Sequence, residues 1–197
     1  MAKTNRREML KAGAALAATA AASQFSPVFA AATDKLKLGV IGCGGRGTGA
    51  VEDNFKGGSN TVLWAAGDVF QNKAKGLVAN STKIAKDRVD VGDRVFGGLE
   101  AAQNVIDSGC DLIILATSPG FRPFHLEAIV QKAADSKKKI HIFCEKPVAV
   151  DGAGIQKVLK VAEEAKKLGI SVVAGTQRRH QAGYIETVKQ IHDGKIG

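Results

Sequence analysis

The chain has 197 residues, 45% of them hydrophobic and 24% charged, which suits one ordinary buried core and excludes a collagen or a wholly disordered chain. Aromatics make up 5%, and 23 glycines stand against 4 prolines, a balance that fits helices and strands joined by glycine turns better than a β-sandwich. The formal charge of +9 is not that of a nucleic-acid groove. Part of it lies in Lys3, Arg6, Arg7 and Lys11, and Lys157, Lys160, Lys166 and Lys167 mix with Glu163 and Glu164 at helical spacing, as on a solvated face.

Residues 1–32 read as an export signal ahead of the fold. Arg6 and Arg7 open a basic segment, an Ala-rich apolar run covers residues 12–22, and small residues around Ala30 to Ala32 offer a cleavage site. The adjacent arginines resemble the bacterial twin-arginine signal, which implies a periplasmic or otherwise exported protein. A basic amphipathic first helix is the alternative, but the run lacks a charged face. No stretch reaches the ~20 apolar residues of a membrane span, so stable insertion is not expected.

From residue 33 onward strand and helix patterns alternate. Residues 36–42 form a short apolar strand ending in glycines, followed by a helix over 48–55. Residues 61–66 are apolar throughout, as in a strand covered on both faces, and stop at Gly67-Asp68. A helix over 71–85, a polar loop over 87–93 and a weak strand over 94–96 come next, then the clearest strand, 111–117. A helix over 123–137 carries Leu126, Ile129, Val130 and Ala133 on one stripe. After a fifth strand at 139–144, a helix capped by Asp151 is expected to bury Ile155, Val158, Leu159 and Ala162 and to end at Gly169. A sixth strand covers 170–174, and residues 182–191 read as a final helix. The pattern predicts right-handed βαβ units in an α/β, Rossmann-type doubly wound parallel sheet over residues 33–180, with 181–197 leading away from it. Cys43, Cys110 and Cys144 form no CxxC pair and read as small core residues; no metal site is signalled.

The chemistry starts at Gly42-Cys43-Gly44-Gly45-Arg46-Gly47, a dinucleotide fingerprint lying between the first strand and the first helix. Gly42 permits the turn, Gly44 lets the backbone approach a pyrophosphate, and Gly47 lets helix and strand pack closely. The helix start supplies amide hydrogens and a favourable dipole for the anion. Asp68, at the end of the second strand, is placed to bind the adenosine ribose and to repel a 2′-phosphate, favouring NAD over NADP. Ligands of open parallel sheets bind beyond the carboxyl ends of the strands. Here those ends carry Asp68, Thr117-Ser118-Pro119, Glu145-Lys146-Pro147 and Gln177-Arg178-Arg179-His180. Glu145 and Lys146 end an apolar run and are expected to project at that rim, Lys146 partly buried and able to polarise a substrate oxygen; a plain ion pair is the alternative.

Glu145-Lys146-Pro147 and the strand before it resemble the signature of the Gfo/Idh/MocA oxidoreductases. The glycine fingerprint, Ala116 to Pro119 with His125, and Gly175 to His180 with Tyr184 agree with it. The resemblance implies that Thr117, Ser118, Pro119 and His125 line the nicotinamide side, that Glu145 and Gln177 contact the cofactor, and that Lys146 touches both nicotinamide ribose and substrate as the catalytic lysine. Arg178 and His180 are candidates for substrate contact.

The resemblance implies that the family follows this half with a second α/β domain carrying the proton-transfer residues, and the chain is expected to lack that domain. Three readings stay open: the NAD-binding portion of an exported oxidoreductase of a sugar or polyol, an NAD-dependent glycosidase of the same superfamily, or a non-catalytic, truncated dinucleotide-binding module. Expected partners are the small substrate and either a second copy or a separate chain carrying the missing domain.

Overall fold

The structure, a computed structural model, describes residues 35–58 and 60–196; the export-signal expectation lies outside them. Among the described residues six strands are present: β1 (Leu36–Ile41), β2 (Thr61–Gly67), β3 (Val95–Phe96), β4 (Leu112–Leu115), β5 (His141–Cys144) and β6 (Val172–Ala174). They form one parallel sheet in the order β3-β2-β1-β4-β5-β6, the doubly wound order in which the chain reverses direction across the sheet between β1 and β4. The helices are α1 (Gly45–Lys56), α2 (Gln71–Ile84), α3 (Ala101–Asp107), α4 (Arg122–Ser136), α5 (Gly152–Lys167) and α6 (Ala182–His192).

Strand side chains alternate in direction, so each apolar strand feeds two cores. On one face Leu38, Val40, Leu63 and Ile114 meet Val51 and Phe55 of α1 and Leu77 of α2. On the other, Ile113, Leu115 and Ile142 pack beneath α3, α4 and α5. The stripe expected on α4 is buried: Leu126, Ile129, Val130 and Ala133 all lie in this second core.

Four sequence expectations need correcting. The first helix opens at Gly45, inside the glycine run, three residues before the expected start. The loop over 87–93 overlaps a 3-10 turn at Lys86–Arg88 and a single parallel bridge from Val89 to Leu63. The short helix α3 between β3 and β4 was not expected; its Val105 and Ile106 are fully buried. On α5 the buried residues are Val161 and Ala165; of the expected stripe Val158 is partly buried against the core, while Ile155, Leu159 and Ala162 face outward. Both stripes have helical spacing, and only the neighbouring α4 decides which one turns inward. The Asp151 cap forms as expected, with Oδ1 accepting from the Gly154 amide at 2.6 Å. In α6, Ile185, Val188 and Ile191 are each about half exposed, so its apolar face has no cover among the described residues. No helix of the described residues is long and apolar enough to cross a membrane.

Candidate functional site

All strands are parallel, so the loops after β1, β2, β4, β5 and β6 leave the sheet at one rim. After β1 the chain turns through Gly42, whose φ is +92°; a Cβ there would lie 2.6 Å from the main chain of Ala116 and Thr117. A Cβ on Gly47 would lie 2.0 Å from the Gly42 carbonyl oxygen. Only glycine lets α1 start this close to β1 and β4. Gly44 and Gly45 differ: a Cβ on either would meet nothing within 4 Å, because they face open space at the helix N-terminus. Gly44 is the N-cap and has no side chain to cap the helix, and the first turn holds no acidic residue. The start of α1 is therefore an open cradle for an anion.

Asp68 holds this loop in shape. Its Oδ2 accepts from the Cys43 amide at 2.8 Å and its Oδ1 from the Phe70 amide at 2.9 Å. Each oxygen keeps a further lone pair, so the carboxylate can still accept from ribose hydroxyls. The Cys43 thiol donates to the Gly67 carbonyl at 3.4 Å. Burial first, and the Asp68 charge second, push that thiol up to about 12, so Cys43 is a packed structural residue and not a nucleophile. Cys110 and Cys144 are buried thiols as well.

A cleft of about 530 Å³ opens over this loop and brings Gly42, Gly44, Asp68, Thr117, Ser118 and His125 together. Its apolar walls include Phe70, Leu99 and Phe121, and its size suits a small-molecule site. His125 Nδ1 lies 3.2 Å from the Thr117 hydroxyl, its ring stacks on Phe121 with centroids 6.2 Å apart, and burial holds its pKa below the usual histidine value. Burial thus favours the neutral imidazole. Pro119, Glu145, Lys146, Gln177, Arg178 and His180 are not part of the lining. The last three of these occupy exposed positions at the 3-10 turn after β6, where the Arg178 guanidinium lies 5.4 Å from the Tyr184 ring centroid.

The expectation that Glu145 and Lys146 both project at the rim is half right. Lys146 is exposed, not partly buried, while Glu145 is buried at 1% exposure. Consecutive residues leaving a strand point in opposite directions, so one of the pair turns inward. The inward carboxylate is compensated by Arg46 of the glycine loop, whose Nε and Nη2 lie 2.7 and 2.6 Å from Glu145 Oε1. This ion pair straps the start of α1 to the end of β5. The bond raises the Arg46 pKa, with the Glu145 hydrogen bond as its main cause.

Sequence reasoning missed two kinds of residue here. Phe70 and Leu99 wall the cleft from loops whose sequence gives no periodic signal. Arg122 is buried, and its hydrogen-bond partners are main-chain carbonyls that no motif encodes.

Residues 36–173 match the family model for the NAD-binding Rossmann fold of the Gfo/Idh/MocA oxidoreductases. The chain belongs to that family. Among curated relatives, the myo-inositol 2-dehydrogenase of Thermotoga maritima is 25% identical, the match covering 82% of this chain and 42% of that protein. The inositol 2-dehydrogenase/D-chiro-inositol 3-dehydrogenase of Halalkalibacterium halodurans is 35% identical, covering 82% and 41%. The WlbA dehydrogenase of Bordetella pertussis, solved with NADH and UDP-GlcNAcA, shares the fold at a TM-score of 0.62 and 20% identity, over 83% of this chain and 41% of that one. The scyllo-inositol dehydrogenase of Lactobacillus casei, solved with NAD(H) and scyllo-inositol, superposes at a TM-score of 0.61 with 20% identity over 83% and 43%. The chain thus spans about two-fifths of the length of these Gfo/Idh/MocA relatives. Its matched part is the family's NAD-binding Rossmann domain. The residues fit that cofactor: the Gly44–Gly45 side of the loop is open where a pyrophosphate must approach, and Asp68 faces the same cleft with acceptor capacity to spare.

Proposed function

We propose that the chain is the cofactor half of an exported dehydrogenase that acts on a sugar, sugar acid or polyol. The observation that carries the reading is the division of one sheet rim into two stations. One is the cleft built on Gly42, Gly44 and Asp68; the other is the exposed Lys146 at the end of β5, strapped to the first through Glu145 and Arg46. The inositol dehydrogenases among the relatives support a polyol-type substrate.

NAD, when bound, supplies the ring that accepts or returns a hydride. The amide hydrogens of the glycine loop and of the start of α1 hold the pyrophosphate, and Asp68 accepts from the adenosine ribose hydroxyls. Thr117, Ser118 and His125 share the cleft with Asp68, which favours a role on the adenosine side of the loop over the nicotinamide side that the family resemblance implied. The nicotinamide side then falls to Lys146 and Gln177, while the buried Glu145, which turns inward onto Arg46, is left as the support behind Lys146 rather than the cofactor contact that the family resemblance implied. Lys146 donates from its ammonium to the substrate oxygen and steadies negative charge there as the carbinol proton leaves. Arg178 and His180, on the same rim, are the chain's own candidates for substrate contact.

Calorimetry tests the cofactor reading. The chain is expected to bind NAD at micromolar affinity or tighter and to prefer it clearly over NADP, and Asp68→Ala is expected to erode that preference. Tighter NADP binding by the unmutated chain would overturn the ribose assignment and point to Lys73, which lines the same cleft.

Export is part of the proposal and rests on residues 1–32. Changing Arg6 and Arg7 together to Lys is expected to leave the precursor in the cytoplasm on cell fractionation, because the export receptor reads the guanidinium pair and not charge alone. Normal periplasmic accumulation of the double variant would sink it.

A further inference from the structure

Arg122 opens α4 and is 5% exposed. A buried guanidinium ordinarily faces a carboxylate or phosphate, because an uncompensated buried charge is costly. This one spends its hydrogen bonds on three main-chain carbonyls. Its Nε donates to Thr117 O at 2.8 Å, and its Nη1 donates to Glu145 O at 2.8 Å and to Pro147 O at 2.5 Å.

The last two carbonyls bracket Lys146 on either side in the chain. The Glu145 amide is also fixed, donating to Leu115 O at 2.9 Å, and the Glu145 carboxylate is held by Arg46. Lys146 thus has an exposed side chain on a main chain fixed at several points. A lysine stem is flexible, so the protein can aim an exposed ammonium only by fixing the backbone that carries it. The planar guanidinium is well shaped for such fixing, since Nε and Nη1 have a rigid spacing and reach the ends of β4 and β5 at once, where an ammonium acts as a point donor.

We propose that Arg122 is a positioning residue that sets where Lys146 stands relative to the bound dinucleotide. The inference rests on the proposed reading of Lys146 as the lysine that faces cofactor and substrate. It does not require Arg122 to touch either ligand.

The test is the acetylation rate of Lys146 by acetic anhydride, followed by mass spectrometry, with and without saturating NAD. Calorimetry and thermal melting on the same samples report binding and folding. Wild-type chain is expected to bind NAD and to show about tenfold slower Lys146 labelling when saturated, since the reagent must reach an amine held against the cofactor. Arg122→Lys, which keeps the buried charge and loses the fork, is expected to stay folded and to bind NAD, yet to retain less than about twofold protection at saturation. Arg122→Met is expected to lose protection as well and to melt lower, with its carbonyl partners left unpaired. A purely structural role predicts lower melting and weaker binding but full protection once saturated.

Full protection in folded, NAD-saturated Arg122→Lys overturns the positioning role alone. Wild-type chain that binds NAD with Lys146 unprotected overturns the Lys146 assignment and the inference with it. Wild-type chain that does not bind NAD overturns the functional reading itself.

Discussion

Replacing Gly42 or Gly47 by alanine is expected to abolish measurable NAD binding and to lower the melting temperature of the chain sharply. At Gly42 the backbone is in the left-handed region, and the added methyl would sit 2.6 Å from the main chain of Ala116 and Thr117. At Gly47 it would meet the Gly42 carbonyl at 2.0 Å. Neither obstacle is a flexible side chain, so β1 and β4 would have to part or α1 would have to lift. Strain at a positive φ alone costs about 1–2 kcal/mol. Steric displacement adds to this, against a total stability of roughly 5–15 kcal/mol for a domain. Gly44→Ala is the matched control, because its methyl would meet nothing within 4 Å. It should melt like wild type and lose affinity only where the pyrophosphate needs the space. Equal melting temperatures for Gly44→Ala and Gly47→Ala would overturn this account of the loop.

The second large effect is expected in turnover. By itself the 197-residue chain should bind NAD without reducing it in the presence of inositols or sugars, because hydride transfer also needs a held substrate, a proton acceptor and exclusion of water. Joined to the part of the Halalkalibacterium halodurans relative that lies outside the matched region, it should turn over. In that fusion Lys146→Ala should lower kcat by about 10²–10³-fold, the scale of losing one preorganised donor to a developing oxyanion. NAD affinity should change by less than about threefold, since on the proposed reading the glycine loop and Asp68 would carry most of the cofactor's contacts. Steady-state kinetics and calorimetry check the two halves of this expectation. Lys146-dependent turnover by the unfused chain would contradict it and move the search for a base to His125, His180 and Tyr184.

Much of the fold was legible because the strands that matter are predominantly apolar and each ends in glycine or a polar pair. Such runs identify a doubly covered parallel sheet without tertiary information. The short helix α3 escaped because its seven residues make barely two turns, too few for a periodic stripe to stand out. The stripe on α5 was misread for a different reason. Ile155 and Leu159 are as apolar as the face that is buried, and the choice between faces is made by α4, which no local pattern records.

The site divides in the same way. Gly42, Gly44, Gly47 and Asp68 were legible because the chemistry fixes their spacing along the chain. The ion pair between Arg46 and Glu145 joins residues 99 positions apart, and Arg122 bonds to carbonyls that every residue possesses. Such partners become visible only when the sheet brings the ends of β1, β4 and β5 side by side.

The double duty of Asp68 constrains any redesign of cofactor preference. On the proposed reading, one carboxylate would select the ribose, and its bond to the Cys43 amide would also fix the floor under the pyrophosphate. Removing the charge to admit a 2′-phosphate by substituting alanine also releases that amide, so the gain in tolerance comes with a loosened loop. Asparagine or serine drops the charge and retains an oxygen for Cys43. A lineage moving from one dinucleotide to the other is therefore funnelled through small polar residues at this position. Its charge-bearing partner for the new phosphate has to arise elsewhere on the cleft wall, where Lys73 already stands.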